Sequence, residues 1–225
     1  TTTYGATTTY RDLGEQIEAS AAMARRLGIG LVIASGMEAL LSEDPLGGNR
    51  LLAKALLPHR GRFAAYFGYN PRFGNVLAPA LERMMPGFAG FKTLCGYWGV
   101  RLDDKRFAPM WEYAERRRLP ILNHTWDGGG DSPRILRDVV RKYPNATFLI
   151  GHSGGGDAGR AEAVELAREN PNVMLEWCGS FCSTTMWEDT LKRVSPAQVV
   201  YGTDAMAHGV DWELGRLLSA DIPDE

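Results

Sequence analysis

Seven apolar runs recur along the chain at nearly regular spacing, and they constrain the fold more than any other feature of the sequence. Most of them are almost continuously hydrophobic rather than alternating, which is typical of strands buried on both faces in a parallel sheet. The runs cover residues 28–36, 62–71, 87–96, 119–126, 146–154, 172–179 and 198–205. The sequence therefore predicts a sheet built mainly from parallel strands.

Helical patterns lie between these runs. The segment 10–28 has a periodic apolar face and is expected to stop at Gly28. The segment 131–144 is expected to begin with a cap formed by Asp131 and Ser132. Two further patterns occupy residues 103–119 and 157–171. Strands that alternate with helices indicate parallel strands joined by crossovers.

The spacing of polar residues at the strand ends favours a barrel. His152 follows His124 by 28 residues, and Asp204 follows His152 by 52. A TIM barrel uses about 31 residues for each of its eight strand–helix units. We therefore predict an α/β fold of the (β/α)8 TIM-barrel class, formed as a single domain over residues 1–225.

Seven strands are one too few for a closed barrel, and an open one would leave two strand edges unpaired. We expect the first strand of the barrel to lie upstream of Thr1. The segment 211–225 is similarly interpreted as a final helix that is cut short.

Composition narrows the class of function. Lys and Arg number 25 against 27 Asp and Glu, a net charge of −2, so nucleic-acid binding is not indicated. No apolar run reaches the roughly 20 residues of a membrane span, and we expect no membrane partner. The three cysteines (Cys95, Cys178 and Cys182) have no paired spacing and predict reduced thiols in a cytoplasmic protein.

Several residues that can carry chemistry follow the predicted strands directly: Lys92, His124, His152, Glu176 or Cys178, and Asp204. In a parallel barrel the carboxyl ends of the strands meet on one rim, so these side chains are expected to converge. Two imidazoles and a carboxylate suit a divalent metal such as zinc. A water held in an open coordination position would become a nucleophile near neutral pH.

The order of these residues resembles the amidohydrolase superfamily, in particular its amidohydrolase-related branch of metal-dependent TIM-barrel enzymes. The carriers are "GFKTL", "PILNHTW", "FLIGHSGG" and "VVYGTDA". The resemblance implies that His124 is a metal ligand, that Asp204 is a ligand and the acceptor of a proton from water, and that His152 is a second ligand or orients water or substrate. The family's His-x-His pair is absent here, so it either lies upstream of Thr1 or has been lost.

The function implied is a metal-dependent hydrolase that cleaves a small-molecule ester, lactone or amide-type bond, with zinc, manganese or iron as cofactor. The same branch contains metal-dependent decarboxylases of aromatic acids, and this alternative stays open. The substrate is not readable from the sequence. Homo-oligomerisation also stays open, because the loop "CGYWGVR" suits an interface as well as a substrate.

Weaker candidates were weighed against structural roles. Lys92 is interpreted as a modified bridging ligand, a partner for a substrate carboxylate, or a residue of a rim ion pair. His59 precedes a strand and is expected to be structural. The rim loops supply four candidates for substrate contact: Trp98, Arg101, Trp126 and His208.

Two rival functions remain at this point. "GHSGG" matches the nucleophile elbow of serine α/β-hydrolases, with Ser153 as nucleophile and Asp204 and His208 completing a triad. Against it, the acid and base would lie four residues apart on one loop, and no upstream oxyanion segment is present. The other rival is a barrel that only binds, because a fold alone does not grant activity.

Overall fold

The computed structural model describes residues 12–179, 183–205 and 209–222. Within them the chain forms seven strands in chain order: β1 (Val32–Ala34), β2 (Phe63–Gly68), β3 (Gly90–Thr93), β4 (Pro120–His124), β5 (Thr147–Gly151), β6 (Val173–Trp177) and β7 (Val199–Tyr201). Each strand lies inside one of the seven predicted runs. The observed strands are shorter because the ends of the runs form loops.

All neighbouring strands are parallel and follow the order of the chain, from β1 at one edge of the sheet to β7 at the other. In the part of the chain that the structure describes, the pairing ends at these two strands and the sheet stays open between them. The architecture is therefore α/β, with the strand order of a TIM barrel that is not closed.

The helices are α1 (Leu13–Arg26), α2 (Met37–Leu41), α3 (Pro45–Leu56), α4 (Gly74–Leu77), α5 (Leu81–Met84), α6 (Cys95–Trp98), α7 (Ala108–Arg117), α8 (Arg137–Lys142), α9 (Asp157–Glu169), α10 (Thr184–Leu191) and α11 (Val210–Leu218). Short 3-10 turns separate several of them. None of the helices described here has the length and apolar character needed to cross a bilayer.

Local sequence explains the helix ends. α1 begins where the Asp12 carboxylate accepts the Glu15 N–H at 2.9 Å, and it ends before Gly28, which has φ of 71°. α3, which the sequence analysis did not single out, begins with Asp44 accepting from Gly47 N–H at 2.8 Å and with Pro45 in its first turn.

Burial alternates along the central strands, so the prediction of strands buried on both faces is only half right. One face, here called the helix-covered face, is fully buried; its residues include Phe91, Ile121, Phe148, Val173 and Leu175. The other, here called the concave face, is half-buried; its residues include Lys92, Leu122, His124, Leu149 and Met174. A barrel that is not closed exposes its inner face in this way. Adjacent apolar residues of one strand therefore differ in burial, although they look alike in the sequence.

The main hydrophobic core lies between the helix-covered face and the helices. Phe91 packs edge-on against Phe67 at 6.1 Å between ring centroids and against Tyr113 of α7 at 6.1 Å. The same core includes Val140 of α8 and Ala163 of α9. Burial of these side chains fixes the sheet, and the sheet in turn fixes the strand ends.

A ladder of ion pairs joins α9 to the segment that leads into and forms α8. Its pairs are Arg134–Glu162 at 3.5 Å, Arg137–Glu165 at 3.0 Å and Arg141–Glu169 at 2.8 Å. Each arginine precedes its glutamate by 28 residues. The pairs are substantially exposed, so each contributes little to the free energy of folding.

Candidate metal centre at the strand ends

Two histidines meet at the carboxyl ends of β4 and β5. The imidazole rings of His124 and His152 have centroids 5.0 Å apart and lie at 72° to each other. Both side chains are largely buried, and both face the concave side of the sheet. The prediction that these residues converge on one rim agrees with this geometry.

His152 reaches this face through an unusual bend in the backbone. His124 pairs in register with Gly151, so His152 is one residue further on and would point to the opposite face in a regular strand. Instead, His152 has φ of 60° and Ser153 has φ of 46°, both in the left-handed region. Such strain in residues other than glycine is typical of functional sites.

Strand β6 holds this bend in place. The backbone N–H of His152 donates to Glu176 Oε2 at 3.2 Å, and the hydroxyl of Ser153 donates to the backbone oxygen of Glu176 at 3.0 Å. Ser153 is fully buried. Its hydroxyl therefore supports the backbone, an arrangement that does not favour Ser153 as a nucleophile.

The electrostatics of His152 favour a neutral ring. Burial, the largest cause, and the nearby His124 ring lower its pKa to about 4, while Asp204 acts in the opposite direction. A neutral imidazole is the form that binds metals. His152 is therefore ready to act as a ligand at neutral pH.

His124 is fixed by three neighbours. Its Nδ1 lies 3.2 Å from Asp131 Oδ2, in a pair whose side chains are each 12% exposed. The indole of Trp126 stacks on the imidazole, with centroids 6.2 Å apart and planes 15° apart. Tyr97 contacts it edge-on at 5.4 Å. These contacts leave Nε2 as the ring nitrogen available to a metal.

Asp131 is a site residue that the sequence analysis misread. It was expected to cap the following helix with Ser132, but no side chain caps that turn. The Ser132 hydroxyl donates instead to Glu162 of α9. A glycine-rich loop brings Asp131 back to the strand end, and the sequence carries no local signal for that return.

Glu176 and Cys178 form the floor of the site. Burial raises the pKa of Glu176, and the Cys178 thiol donates to its Oε2 at 3.0 Å. Burial and the adjacent Glu176 raise the pKa of Cys178 well above its usual range. The thiol and the carboxyl thus form a hydrogen-bonded pair at the end of β6.

Asp204 follows the edge strand β7 and is exposed, with φ of 44°. Its carboxylate and the His152 ring both lie next to Gly179, which has no side chain. A Cβ placed on Gly179 would lie 2.9 Å from His152 Nδ1 and 3.4 Å from Asp204 Oδ2. From α11, Glu213 accepts the Gly179 N–H at 3.1 Å, and Arg216 donates to the Gly179 oxygen at 3.0 Å. A buried ion pair thus holds the glycine against the site.

The geometry of the two imidazoles fits one divalent ion. An ion about 2.1 Å from a ring nitrogen lies about 3.2 Å from the ring centroid, so two rings on a tetrahedral ion have centroids about 5 Å apart. Among residues 12–179, 183–205 and 209–222, no group of three or more His, Cys, Asp or Glu side chains reaches the spacing of a complete metal site. Asp204 therefore lies beside the histidine pair rather than closed upon it.

Of the remaining candidates, Lys92 faces the site and Trp98 packs into the core. Lys92 lies on the concave face at the end of β3, and its charge acts on His152 and Glu176. Trp98 was expected on the rim, but it is buried and its indole N–H donates to the Leu40 oxygen at 2.7 Å. That expectation was wrong, because the apolar ring packs into the core.

Two further rim candidates and one distant histidine complete the comparison with the sequence. Arg101 is exposed and forms a salt bridge with Asp103 at 2.9 Å. His59 pairs with Glu18 at 3.2 Å, as expected for a structural residue. His208 and Cys182 lie outside the described residues.

Comparison with known proteins gives one family. A family model described as Amidohydrolase matches residues 13–225. Among curated proteins, no relative matches the chain.

Solved structures share the fold at low sequence identity. 5-Carboxyvanillate decarboxylase from Sphingomonas paucimobilis has a TM-score of 0.72 at 16% identity, covering 91% of this chain and 77% of that one. Dihydroxybenzoic acid decarboxylase from Polaromonas sp. JS666, with bound manganese and 2-nitroresorcinol, has a TM-score of 0.70 at 15% identity, covering 96% of this chain and 81% of that one. An amidohydrolase from Burkholderia multivorans with bound zinc has a TM-score of 0.69 at 13% identity, covering 92% of this chain and 83% of that one.

Proposed function

The chain belongs to the amidohydrolase family, and from this premise we propose that it is a metal-dependent hydrolase acting on an ester, lactone or amide-type bond of a small molecule. The observation that carries the proposal is the pair His124 and His152, 5.0 Å apart between ring centroids, with Asp204 beside it. The chemistry of two imidazoles and a carboxylate suits a divalent ion, zinc or manganese first. Iron is a third candidate.

The three side chains divide the work. His124 and His152, each on a strand paired on both sides, form the fixed part of the ligand set. Asp204 follows the edge strand and is exposed, and its carboxylate would supply the third ligand. Bound in such a site, a divalent metal lowers the pKa of a coordinated water to about 7.

The residues around the ion then manage the proton. The Asp204 carboxylate accepts it from the attacking water and passes it to the leaving group. If His152 is not itself a ligand, its ring, kept neutral by burial, orients the water or the substrate carbonyl. The ammonium of Lys92, on the same face, favours a substrate that carries negative charge.

A second candidate is a metal-dependent decarboxylase of an aromatic acid. It is favoured by the flat rings of Trp126 and Tyr97 around His124, which suit a planar aromatic substrate. Two of the structural neighbours named above are decarboxylases of aromatic acids. In this case the ion would hold the substrate's oxygens, and Lys92 would pair with its carboxylate.

Metal content tests the shared part of both proposals. Purified protein resupplied with zinc or manganese is expected to hold near-stoichiometric metal by mass spectrometry, and His124→Ala is expected to lose it. His59→Ala is the matched control and should keep the metal, because His59 pairs with Glu18 away from the site. Absence of metal from the resupplied wild type would remove both candidates.

Products separate the two reactions. Hydrolysis in water enriched in oxygen-18 puts the label into the acid product, whereas decarboxylation releases carbon dioxide and leaves a product that has lost its carboxylate. Asp204→Asn is expected to lower kcat at least about 100-fold through loss of the proton acceptor. Full activity in that variant would contradict the role given to Asp204.

The remaining rivals gain less support. A serine hydrolase would need the Ser153 hydroxyl at the surface, but it is buried and donates to a backbone oxygen. A barrel that only binds would not need two imidazoles 5.0 Å apart at the strand ends. We place the activity in the cytoplasm, since the three cysteines lack the paired spacing of a disulfide framework.

A further inference from the structure

We propose that Asp131 is the positioning residue for His124: it holds the proton on Nδ1 and thereby directs the Nε2 lone pair towards the metal. The inference rests on the proposed function for the identity of the ion. The position of the ring and its tautomer can nevertheless be tested without any metal.

The contact is within hydrogen-bond distance and is largely shielded from solvent. His124 Nδ1 and Asp131 Oδ2 are 3.2 Å apart, and each side chain is only 12% exposed. An ionised carboxylate can only accept a hydrogen bond, so Nδ1 must be the nitrogen that donates. The lone pair of a neutral ring then lies on Nε2, which is the nitrogen a metal would bind.

The loop is built to present this carboxylate. The backbone N–H of Trp126 donates to the backbone carbonyl oxygen of Asp131 at 3.1 Å, which closes the loop between the two residues. The Leu102 N–H donates to the Gly130 oxygen at 2.8 Å and ties the loop to its neighbour. Asp131 is therefore fixed by its backbone as well as by its hydrogen bond to His124.

A glycine on a separate helix makes room for Asp131. A Cβ on Gly96, in α6, would lie only 2.4 Å from Asp131 Oδ2. Any other residue at position 96 would push the carboxylate away from His124. This fit is independent of the loop and lets the contact be broken from the opposite side.

Helix capping does not account for Asp131. The turn beginning at Pro133 lacks a side-chain cap, and the Ser132 hydroxyl donates to Glu162. Within the described residues, the hydrogen bond of the Asp131 carboxylate goes to His124. The carboxylate therefore binds His124 at the end of β4 and does not cap the helix.

The first experiment reads the tautomer directly. In metal-free protein labelled with nitrogen-15 at histidine, at about pH 8.5 where imidazoles are neutral, long-range proton–nitrogen spectra distinguish Nδ1–H from Nε2–H. The chain has 4 histidines, so His124→Ala assigns the signal. Wild type is expected to show Nδ1–H at His124, and Asp131→Ala is expected to shift it towards Nε2–H, the form that a histidine side chain prefers in water.

The second measurement is zinc affinity by competition with a chromophoric chelator. Asp131→Ala is expected to weaken it about 10-fold to 100-fold, the usual effect of removing a group that orients a ligand. Asp131→Asn keeps a hydrogen-bond acceptor and should retain the Nδ1–H tautomer with an intermediate affinity. Asp127→Asn, an exposed carboxylate in the same loop, is the control and should match wild type.

Gly96→Ala guards against a variant that simply fails to fold. It should reproduce both effects of Asp131→Ala, although alanine suits a helix better than glycine does. Gly215→Ala in α11 is its control, because a Cβ there meets nothing within 4 Å.

The outcomes separate the two proposals. An Nε2–H tautomer in wild type, or an unchanged tautomer and zinc affinity in both Asp131→Ala and Gly96→Ala, would overturn the inference. The expected tautomers in a wild type that binds no zinc or manganese would overturn the proposed function and still support Asp131 as the residue that positions His124.

Discussion

The two faces of the sheet differ in burial although they are made from the same strands. On the helix-covered face, Phe91, Ile121 and Phe148 are completely buried. Their neighbours Leu122 and Leu149, on the concave face, are only half-buried. The candidate site lies on the concave face, where His124 and Lys92 are found.

Successive side chains of a strand point to opposite faces of the sheet, so one face can stabilise the fold while the other carries the candidate site. The helix-covered face supplies the packed core that fixes where the strand ends lie. The concave face leaves space in which side chains can meet a ligand. The predictions that follow test this separation, beginning with the largest expected effect.

Adjacent residues of β5 offer the sharpest test. Phe148→Ala should lower the free energy of unfolding by about 3–5 kcal/mol, because it opens a cavity in the core. Leu149→Ala, one residue later on the half-buried face, should cost about 1 kcal/mol. Urea unfolding measures both values, and equal losses would break the comparison.

The bend that carries His152 to the concave face depends on Gly154. A Cβ there would lie 2.1 Å from the Gly159 oxygen, and φ is 91°. Gly154→Ala should therefore cost about 3 kcal/mol or more. Gly28→Ala also places alanine at a positive φ, but its Cβ would meet nothing within 4 Å, so it should cost only about 1 kcal/mol. Urea unfolding should rank the two variants in this order.

Acid should weaken the fold through the concave face. In the metal-free protein, burial lowers the pKa of His152 to about 4 from 6.5. Between these values the unfolded chain takes up a proton that the folded chain excludes, so stability is fully present above pH 6.5 and falls towards pH 4. The slope is at most about 1.4 kcal/mol per pH unit. His152→Gln should flatten the profile of unfolding free energy against pH, and an unchanged profile would contradict this origin.

The smallest effect is expected on the outer helices. Arg141→Met removes one ion pair of the ladder, with Glu169 at 2.8 Å. Because both side chains are partly in solvent, the loss should be less than about 1 kcal/mol and should shrink further in high salt. A loss as large as that of Phe148→Ala would mean that surface charge, and not the packed core, holds this half of the sheet.

Much of this organisation could be predicted from the sequence. The seven strands lie within the seven apolar runs, since a long apolar segment flanked by loops has few other solutions in an α/β chain. The approach of His124 and His152 followed from the rule that parallel strands end on one rim. Their roles at a metal remain predictions.

The rest depended on contacts that a linear pattern does not encode. Leu122 and Ile121 look alike in sequence, and only the opened sheet makes one of them half-buried. Asp131 and Glu213 act through loops and helices that return to the strand ends from seven and 34 residues away, respectively. Trp98 was misassigned because its loop position concealed a buried ring.

The ladder between α8 and α9 has a further consequence. Its three arginines each stand 28 residues before their glutamates, and His124 stands 28 residues before His152. Two successive strand–helix units are thus built to one common length. Each unit carries one of the two histidines at its strand end and one side of the ion-pair ladder on its outer surface, so exchanging or duplicating a unit would move a histidine together with its half of the ladder.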